Sequence, residues 1–223
     1  MIKAVIFDMY ETLITLTEGE HYFGSDMARD AGIENEQFQK LWKPSMDNRS
    51  IGKITLEELL ETILKENKCY SDELLQSIVK KRMDSREESF KYLHEEIVPM
   101  LQGLKEHGMK IGLISNCFSE EALVIKRSEL FPYFDAVCLS FEEGIQKPDR
   151  AIFQRCVDRL KVDAEECLYV GDGGSHELEA AKDFGMRAVQ AVWYLKEGRI
   201  QPCKRNPEFE QAERPLEIVK IAK

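Results

Sequence analysis

The chain opens with a short apolar run, Ala4 to Phe7, that stops at a carboxylate, Asp8, and gives way to a polar turn. Such a run bounded by a turn fits a strand buried on both faces, as in a parallel sheet covered above and below. Similar runs recur at Met109 to Ile114, Ala136 to Leu139, Glu166 to Val170 and Arg187 to Val192. Between them, Pro99 to Gly108, Ala151 to Leu160 and Glu177 to Phe184 carry helical periodicity. Strands alternating with helices predict right-handed βαβ crossovers and an α/β fold. The expectation is a Rossmann-like parallel sheet of five strands or more, with helices on both faces.

From Thr17 to Glu95 the strand signal is absent and helical spacing takes over. Phe38, Leu41 and Trp42 share one helical face. So do Leu56, Leu59, Leu60, Ile63 and Leu64, after a Thr55-Leu56-Glu57-Glu58 start that fits a capping box, and a third set is Leu74, Leu75, Ile78 and Val79. These predict a helical bundle over residues 17–95, inserted into a core formed by residues 1–16 and 96–223. The tail from Glu197 to Lys223, with Pro202, Pro207 and Pro215, is expected to be irregular up to the apolar segment Leu216 to Ile221.

Composition narrows the function classes. With 43% hydrophobic and 32% charged residues the chain has the balance of a soluble globular protein. No stretch approaches the roughly 18 apolar residues that span a bilayer. The start enters a strand with no basic and apolar leader, so a cytoplasmic location and no membrane partner are expected. A net charge of −10 argues against a nucleic-acid partner but leaves room for a small anionic substrate held by local cations. The six cysteines form no C-x-x-C pair and are expected to be reduced packing residues. Cys117, beside Ser115 and Asn116, is expected to be a bystander rather than a nucleophile. His176 is expected to be exposed, and Lys80-Lys81-Arg82 to be a solvated helix end. Either a monomer or a homodimer is compatible with this composition.

Two acids stand at predicted strand ends, Asp8 and Asp172, the second after Leu168 to Gly171. If both strands end at one edge, two carboxylates about 4 Å apart repel by roughly 4 kcal/mol at an effective dielectric of 20. Both stay ionised only with a cation between them, and a hard divalent ion, Mg²⁺ for preference, suits oxygen ligands. Ser115 ends a further strand, and Lys147-Pro148 opens a helix-like segment.

The ordered set Asp8, Ser115, Lys147 and Asp172 resembles the haloacid dehalogenase-like hydrolase superfamily, over nearly the whole chain. The resemblance implies that Asp8 is the nucleophile of an aspartyl-phosphate and that the bundle is a cap over the active site. It places Mg²⁺ on Asp8, the backbone carbonyl of Tyr10 and Asp172, with Glu177 where a second Asp often stands. It gives Ser115 and Asn116 the transferred oxygens and Lys147 the bridging charge. Substrate selection falls to the cap, where Trp42 and Arg49 are candidates, and to Glu11.

Tyr10 departs from the phosphatase pattern, which has an Asp there as general acid and base, and Glu11 stands where Gly is usual. Dehalogenases of the superfamily also have Tyr at that position, but they use no metal, replace the acids of the last motif by Ser and Asn, and carry a Tyr where this chain has Phe153. The expectation is therefore a Mg²⁺-dependent phosphatase of a small metabolite, with Tyr10 or Glu11 as proton shuttle. The alternatives are a 2-haloacid dehalogenase, or a binding protein that kept the metal site and lost turnover.

Overall fold

The computed structural model describes residues 1–196 and 203–223. Five strands follow the predicted runs within a residue: β1 (Ala4–Phe7), β2 (Lys110–Ser115), β3 (Ala136–Leu139), β4 (Cys167–Gly171) and β5 (Arg187–Ala191). A sixth, β6 (Glu210–Ala212), lies in the tail expected to be irregular. Its three residues carry no apolar alternation, and it is held as an edge strand by pairing with β5. Of that tail reading, residues 197–202, Pro202 among them, lie outside the described residues. All pairings are parallel, in the order β3-β2-β1-β4-β5-β6.

The first five helices are α1 (Gly24–Asp30), α2 (Asn35–Trp42), α3 (Met46–Ser50), α4 (Leu56–Glu66) and α5 (Asp72–Ser89). They all fall between β1 and β2. The rest are α6 (Ile97–Glu106), α7 (Ser119–Arg127), α8 (Ser140–Glu143), α9 (Arg150–Leu160), α10 (Glu177–Phe184) and α11 (Glu217–Ile221). No helix among the described residues is long and apolar enough to cross a membrane.

Every residue of β1 is buried because successive side chains enter different cores. Val5 and Phe7 pack with Met100, Leu101 and Leu104 of α6, whereas Ala4 and Ile6 pack with Ile152 and Cys156 of α9. The helical segment has a third core of its own, built on Met27, Phe38, Leu56, Leu60, Ile63 and Ile78. Thr55 caps α4 as expected. Its hydroxyl accepts from the Glu58 N–H at 3.2 Å, and the Glu58 carboxylate accepts from the Thr55 N–H at 2.8 Å.

α5 corrects one reading. Its buried stripe begins with Leu75, Ile78 and Val79 and continues in the same phase through Arg82, Ser85, Arg86 and Ser89. Arg82 is therefore not part of a solvated helix end. The first half of α5 packs on the helical core, and the second half turns its polar stripe toward α7. Gly52 sits at a further contact between the segment and the sheet domain. It adopts φ +71°, and a Cβ there would stand 2.1 Å from the Phe141 backbone oxygen, so only glycine fits.

Candidate active site

The parallel register sets Phe7 beside Leu113 of β2 and Val170 of β4, so three strands release their chains at one sheet edge. Open α/β sheets place ligands at that carboxyl edge. The Asp8 N–H donates to the Val170 carbonyl at 2.9 Å, which extends the pairing one residue and fixes the carboxylate at the edge. Asp8, Asp172 and Glu177 each present a carboxylate oxygen there, all within 4.8 Å of one another and all buried. The expected meeting of Asp8 and Asp172 is thus found.

Lys147 reaches the same point, its ammonium donating to Asp8 Oδ1 at 2.5 Å and to the Tyr169 hydroxyl at 3.3 Å. Its backbone is held by a reciprocal clamp: the Lys147 N–H donates to Asn116 Oδ1 at 2.8 Å, and Asn116 Nδ2 donates to the Lys147 carbonyl at 3.0 Å. The Asn116 amide is therefore engaged in positioning Lys147. Its backbone N–H and the second N–H of the amide are left for a substrate oxygen. Ser115, by contrast, is fully buried and its hydroxyl has no hydrogen-bond partner among the described residues. A buried hydroxyl without a partner is unusual and calls for an explanation.

Glu177 opens α10 and is anchored by the loop before it. Its two oxygens accept from the Gly173 N–H at 2.8 Å and the Ser175 N–H at 2.7 Å. Gly171 leaves room for this carboxylate, since a Cβ would stand 2.8 Å from Glu177 Oε1 and push it aside. Asp172 Oδ1 accepts from the Gly174 N–H at 2.9 Å. The Asp172 carbonyl accepts from Gln190 Nε2 at 2.9 Å and from the Cys203 thiol at 2.8 Å.

Three carboxylates against one ammonium leave the centre short of positive charge. Burial pushes the Asp8 carboxyl up to about 6, with Lys147 opposing and Glu177 adding to the rise. Burial, then the charges of Asp8 and Glu177, push Asp172 up to about 7. Glu177 goes the other way: burial opposes it, but Lys147 and the loop amides hold it below the usual carboxylate range. Burial would lower the Lys147 ammonium, yet Asp8 and Glu177 together raise it. The donor set is all hard oxygen, buried and under-compensated, which is what a divalent cation fits.

Four other expected residues lie off this centre. Tyr10 is half-buried, and desolvation followed by the Glu121 charge raises its phenol well above the ordinary value. Glu11 takes φ +56°, a left-handed backbone that explains why glycine suits the position. Its carboxylate folds back to accept from the Thr15 hydroxyl at 2.9 Å and the Leu16 N–H at 2.7 Å, so it serves the loop rather than a substrate. Arg49, the cap candidate, lies in α3 and is buried. It donates to Glu120 at 2.9 Å between the rings of Trp42 and Phe118, at 4.0 Å and 3.9 Å. Cys117 is buried, and burial pushes its thiol up, which suits a bystander. His176 is exposed, as expected.

A profile of haloacid dehalogenase-like hydrolases matches residues 2–185. The chain belongs to that family of hydrolases. A glyceraldehyde 3-phosphate phosphatase of Methanopyrus kandleri is 27% identical to it, over 100% of this chain and 98% of the relative. Another from Methanocaldococcus jannaschii is 27% identical over 86% of each. Among solved structures, a 2-haloacid dehalogenase from Pseudomonas syringae pv. Tomato superposes with a TM-score of 0.73 at 24% identity, covering 99% of this chain and 98% of that one. A phosphatase of the family from Thermococcus onnurineus gives 0.66 at 22%, covering 99% and 97%. Those two likenesses establish the haloacid dehalogenase-like fold.

Within that fold, sequence reasoning missed Tyr169, Gln190 and Cys203. Gln190 carried a signal, a polar residue near the end of an apolar strand. Tyr169 did not, because aromatic residues are ordinary in buried strands. Phe153 packs at 5.6 Å, tilted by 59°, against the ring of Tyr169, whose phenol meets Lys147 from β4.

Proposed function

We propose that this hydrolase is a Mg²⁺-dependent phosphatase of a small phosphorylated metabolite and works through an aspartyl-phosphate on Asp8. The observation that carries the reading is the buried trio Asp8, Asp172 and Glu177 with Lys147 as its lone close cation among the described residues. The metal would be held by Asp8, Asp172 and the Tyr10 carbonyl, with Glu177 behind them, and would supply neutralisation of the transferring oxygens. Asp8 forms a bond to phosphorus in line as the bond to the leaving oxygen breaks. Lys147 offsets charge on the phosphoryl oxygens, and the Ser115 hydroxyl and Asn116 N–H orient them. Water then cleaves the acyl phosphate and restores the carboxylate. The relatives named glyceraldehyde 3-phosphate phosphatase support a small sugar-type substrate.

Proton transfer is the weak step. The carboxylate of Glu11 is occupied by Thr15 and Leu16, and the Tyr10 phenol, with its pKa raised, is a poor acid. Loss of an efficient acid/base group costs about 10²–10⁴-fold in rate. Leaving groups that need little protonation should therefore be turned over fastest.

A second reading, 2-haloacid dehalogenase, is favoured by Tyr10. The deciding experiment is hydrolysis of 4-nitrophenyl phosphate by wild type and Asp8→Asn, each with Mg²⁺ and with chelator. Mg²⁺-dependent turnover that Asp8→Asn abolishes, with the far-UV spectrum unchanged, is the expected result. Halide release from a 2-haloacid in chelator, without phosphate hydrolysis, would replace the phosphatase by the dehalogenase.

A further inference from the structure

Where α3 and α5 of the helical segment meet α7, five formally charged side chains are buried together: Arg49, Arg82 and Arg86 against Glu120 and Glu121. Glu120 Oε1 lies 2.9 Å from Arg49 Nη2 and 3.1 Å from Arg82 Nε. Glu121 Oε1 lies 3.4 Å from Arg82 Nη2 and 3.1 Å from Arg86 Nε. The second oxygens of both glutamates are also in use, accepting from the Ser119 hydroxyl and the Phe118 N–H. The acceptors are thus consumed while one positive charge remains over.

The surplus falls on Arg86. Arg82 has its own third acceptor, the Tyr22 carbonyl at 3.0 Å. Arg49 also leaves its Nε without a partner among the described residues, but it keeps its Glu120 bond and is clamped between two rings at 4.0 Å and 3.9 Å, closer than the 5.5 Å of Arg86 to the Phe23 ring. Arg86, however, leaves Nε and Nη1 without a hydrogen-bond partner among the described residues, because its Nε–H does not point at the nearby Glu121 oxygen. Its guanidinium is lowered from the ordinary value, by burial first and then by the neighbouring Arg82 charge. Arg86 also lines a cavity of about 450 Å³ together with Arg49, Arg82, Trp42, Phe23 and Phe118. Leu16 and Phe118, which also line the cavity, belong to the loops that follow β1 and β2, the strands that carry Asp8 and Ser115 to the sheet edge.

We propose that this cavity binds the carboxylate of a substrate that is a phosphorylated carboxylic acid, with Arg86 as the docking group. The proposal rests on the phosphatase reading of Asp8. One surplus charge matches a singly charged carboxylate, whereas a second phosphate would overfill it. The planar fork of a guanidinium suits two carboxylate oxygens, and the aromatic walls fit a short carbon skeleton rather than a second shell of water.

The test compares 3-phosphoglycerate with glycerol 3-phosphate, which differ by one carboxylate, in wild type, Arg86→Met and Arg86→Lys, all with Mg²⁺. The wild type should prefer 3-phosphoglycerate by about 10²-fold in kcat/KM, mostly through KM. Arg86→Met should bring the ratio close to one, and Arg86→Lys should restore part of it. A binding readout comes from Trp42, made the sole reporter by Trp193→Phe: unphosphorylated glycerate should change its fluorescence saturably, and not in Arg86→Met. A wild-type ratio near one without a glycerate signal overturns the carboxylate site and leaves the phosphatase intact. So does a ratio that survives Arg86→Met. Hydrolysis of neither ester, with an Arg86-dependent glycerate signal, upholds the site and overturns the phosphatase.

Discussion

At the sheet edge three carboxylates share one ammonium, and at the seam between the helical segment and the sheet domain three guanidiniums share two carboxylates. Both groups are buried, and their imbalances have opposite sign. Buried ions are tolerated when partners close the charge and hydrogen-bond account, and unpaired ones are expensive. The difference teaches what each place lacks: the first calls for a cation, the second for an anion. A substrate with a phosphoryl group at one end and a carboxylate at the other would meet a metal centre and a guanidinium in turn.

The comparison breaks most sharply at Lys147. Lys147→Met leaves three buried carboxylates facing one another, so the metal-free protein should lose about 3–5 kcal/mol at neutral pH, and turnover should vanish. Denaturant unfolding with and without Mg²⁺ checks this; a stability loss that Mg²⁺ does not reduce would contradict the charge account. Glu120→Gln is the mirror change, depriving Arg49 of its one carboxylate while Arg82 keeps Glu121 and the Tyr22 carbonyl, and should cost about 3 kcal/mol in the same measurement without any Mg²⁺ relief.

A smaller effect follows from pH. An ordinary aspartate releases its proton near about 4, whereas Asp8 holds its own to about 6 and Asp172 to about 7. Between those limits the folded chain keeps protons that the unfolded chain has shed. As far as these groups are concerned, stability without metal is fullest below about pH 4 and falls as pH rises toward about 7. Melting temperatures in chelator should therefore fall from pH 5.5 to pH 8, and Mg²⁺ should raise them at pH 8 far more than at pH 5.5. The smallest effect is expected for Glu11→Gly, which relieves a left-handed backbone but forfeits the bonds to Thr15 and Leu16. The net should lie within about 1 kcal/mol by thermal denaturation.

The two regions also differ in how far they were legible beforehand. Asp8 and Asp172 each follow an apolar run, and a parallel sheet brings such ends to one edge, so the pattern was enough to bring them together, whereas Ser115 joined the set through the family resemblance. The seam is built from a helix face, α5, whose buried phase passes from Leu75 and Ile78 into Arg82 and Arg86. Periodicity scored on hydrophobic residues alone stops at the first arginine. Had the phase been followed regardless of residue type, Arg82 and Arg86 would have stood on the buried stripe. Their partners, Glu120 and Glu121, open a helix where acidic residues are ordinary for the helix dipole, so nothing marked them. Asn116 was legible as a site residue but not in its task, since its clamp on the Lys147 backbone spans 31 residues of chain. β6 escaped because a three-residue edge strand needs only a neighbour to pair with.

Gly52 gives the seam a mechanical character. Its missing side chain lets the loop after α3 rest directly on the Phe141 carbonyl, with Ser50 and Ser140 touching hydroxyl to hydroxyl at 3.1 Å beside it. The spot is a rigid spacer, backbone against backbone, that fixes how closely the helical segment rests on the sheet domain. Any bulkier residue there would be a wedge, forcing the loop after α3 off the Phe141 carbonyl.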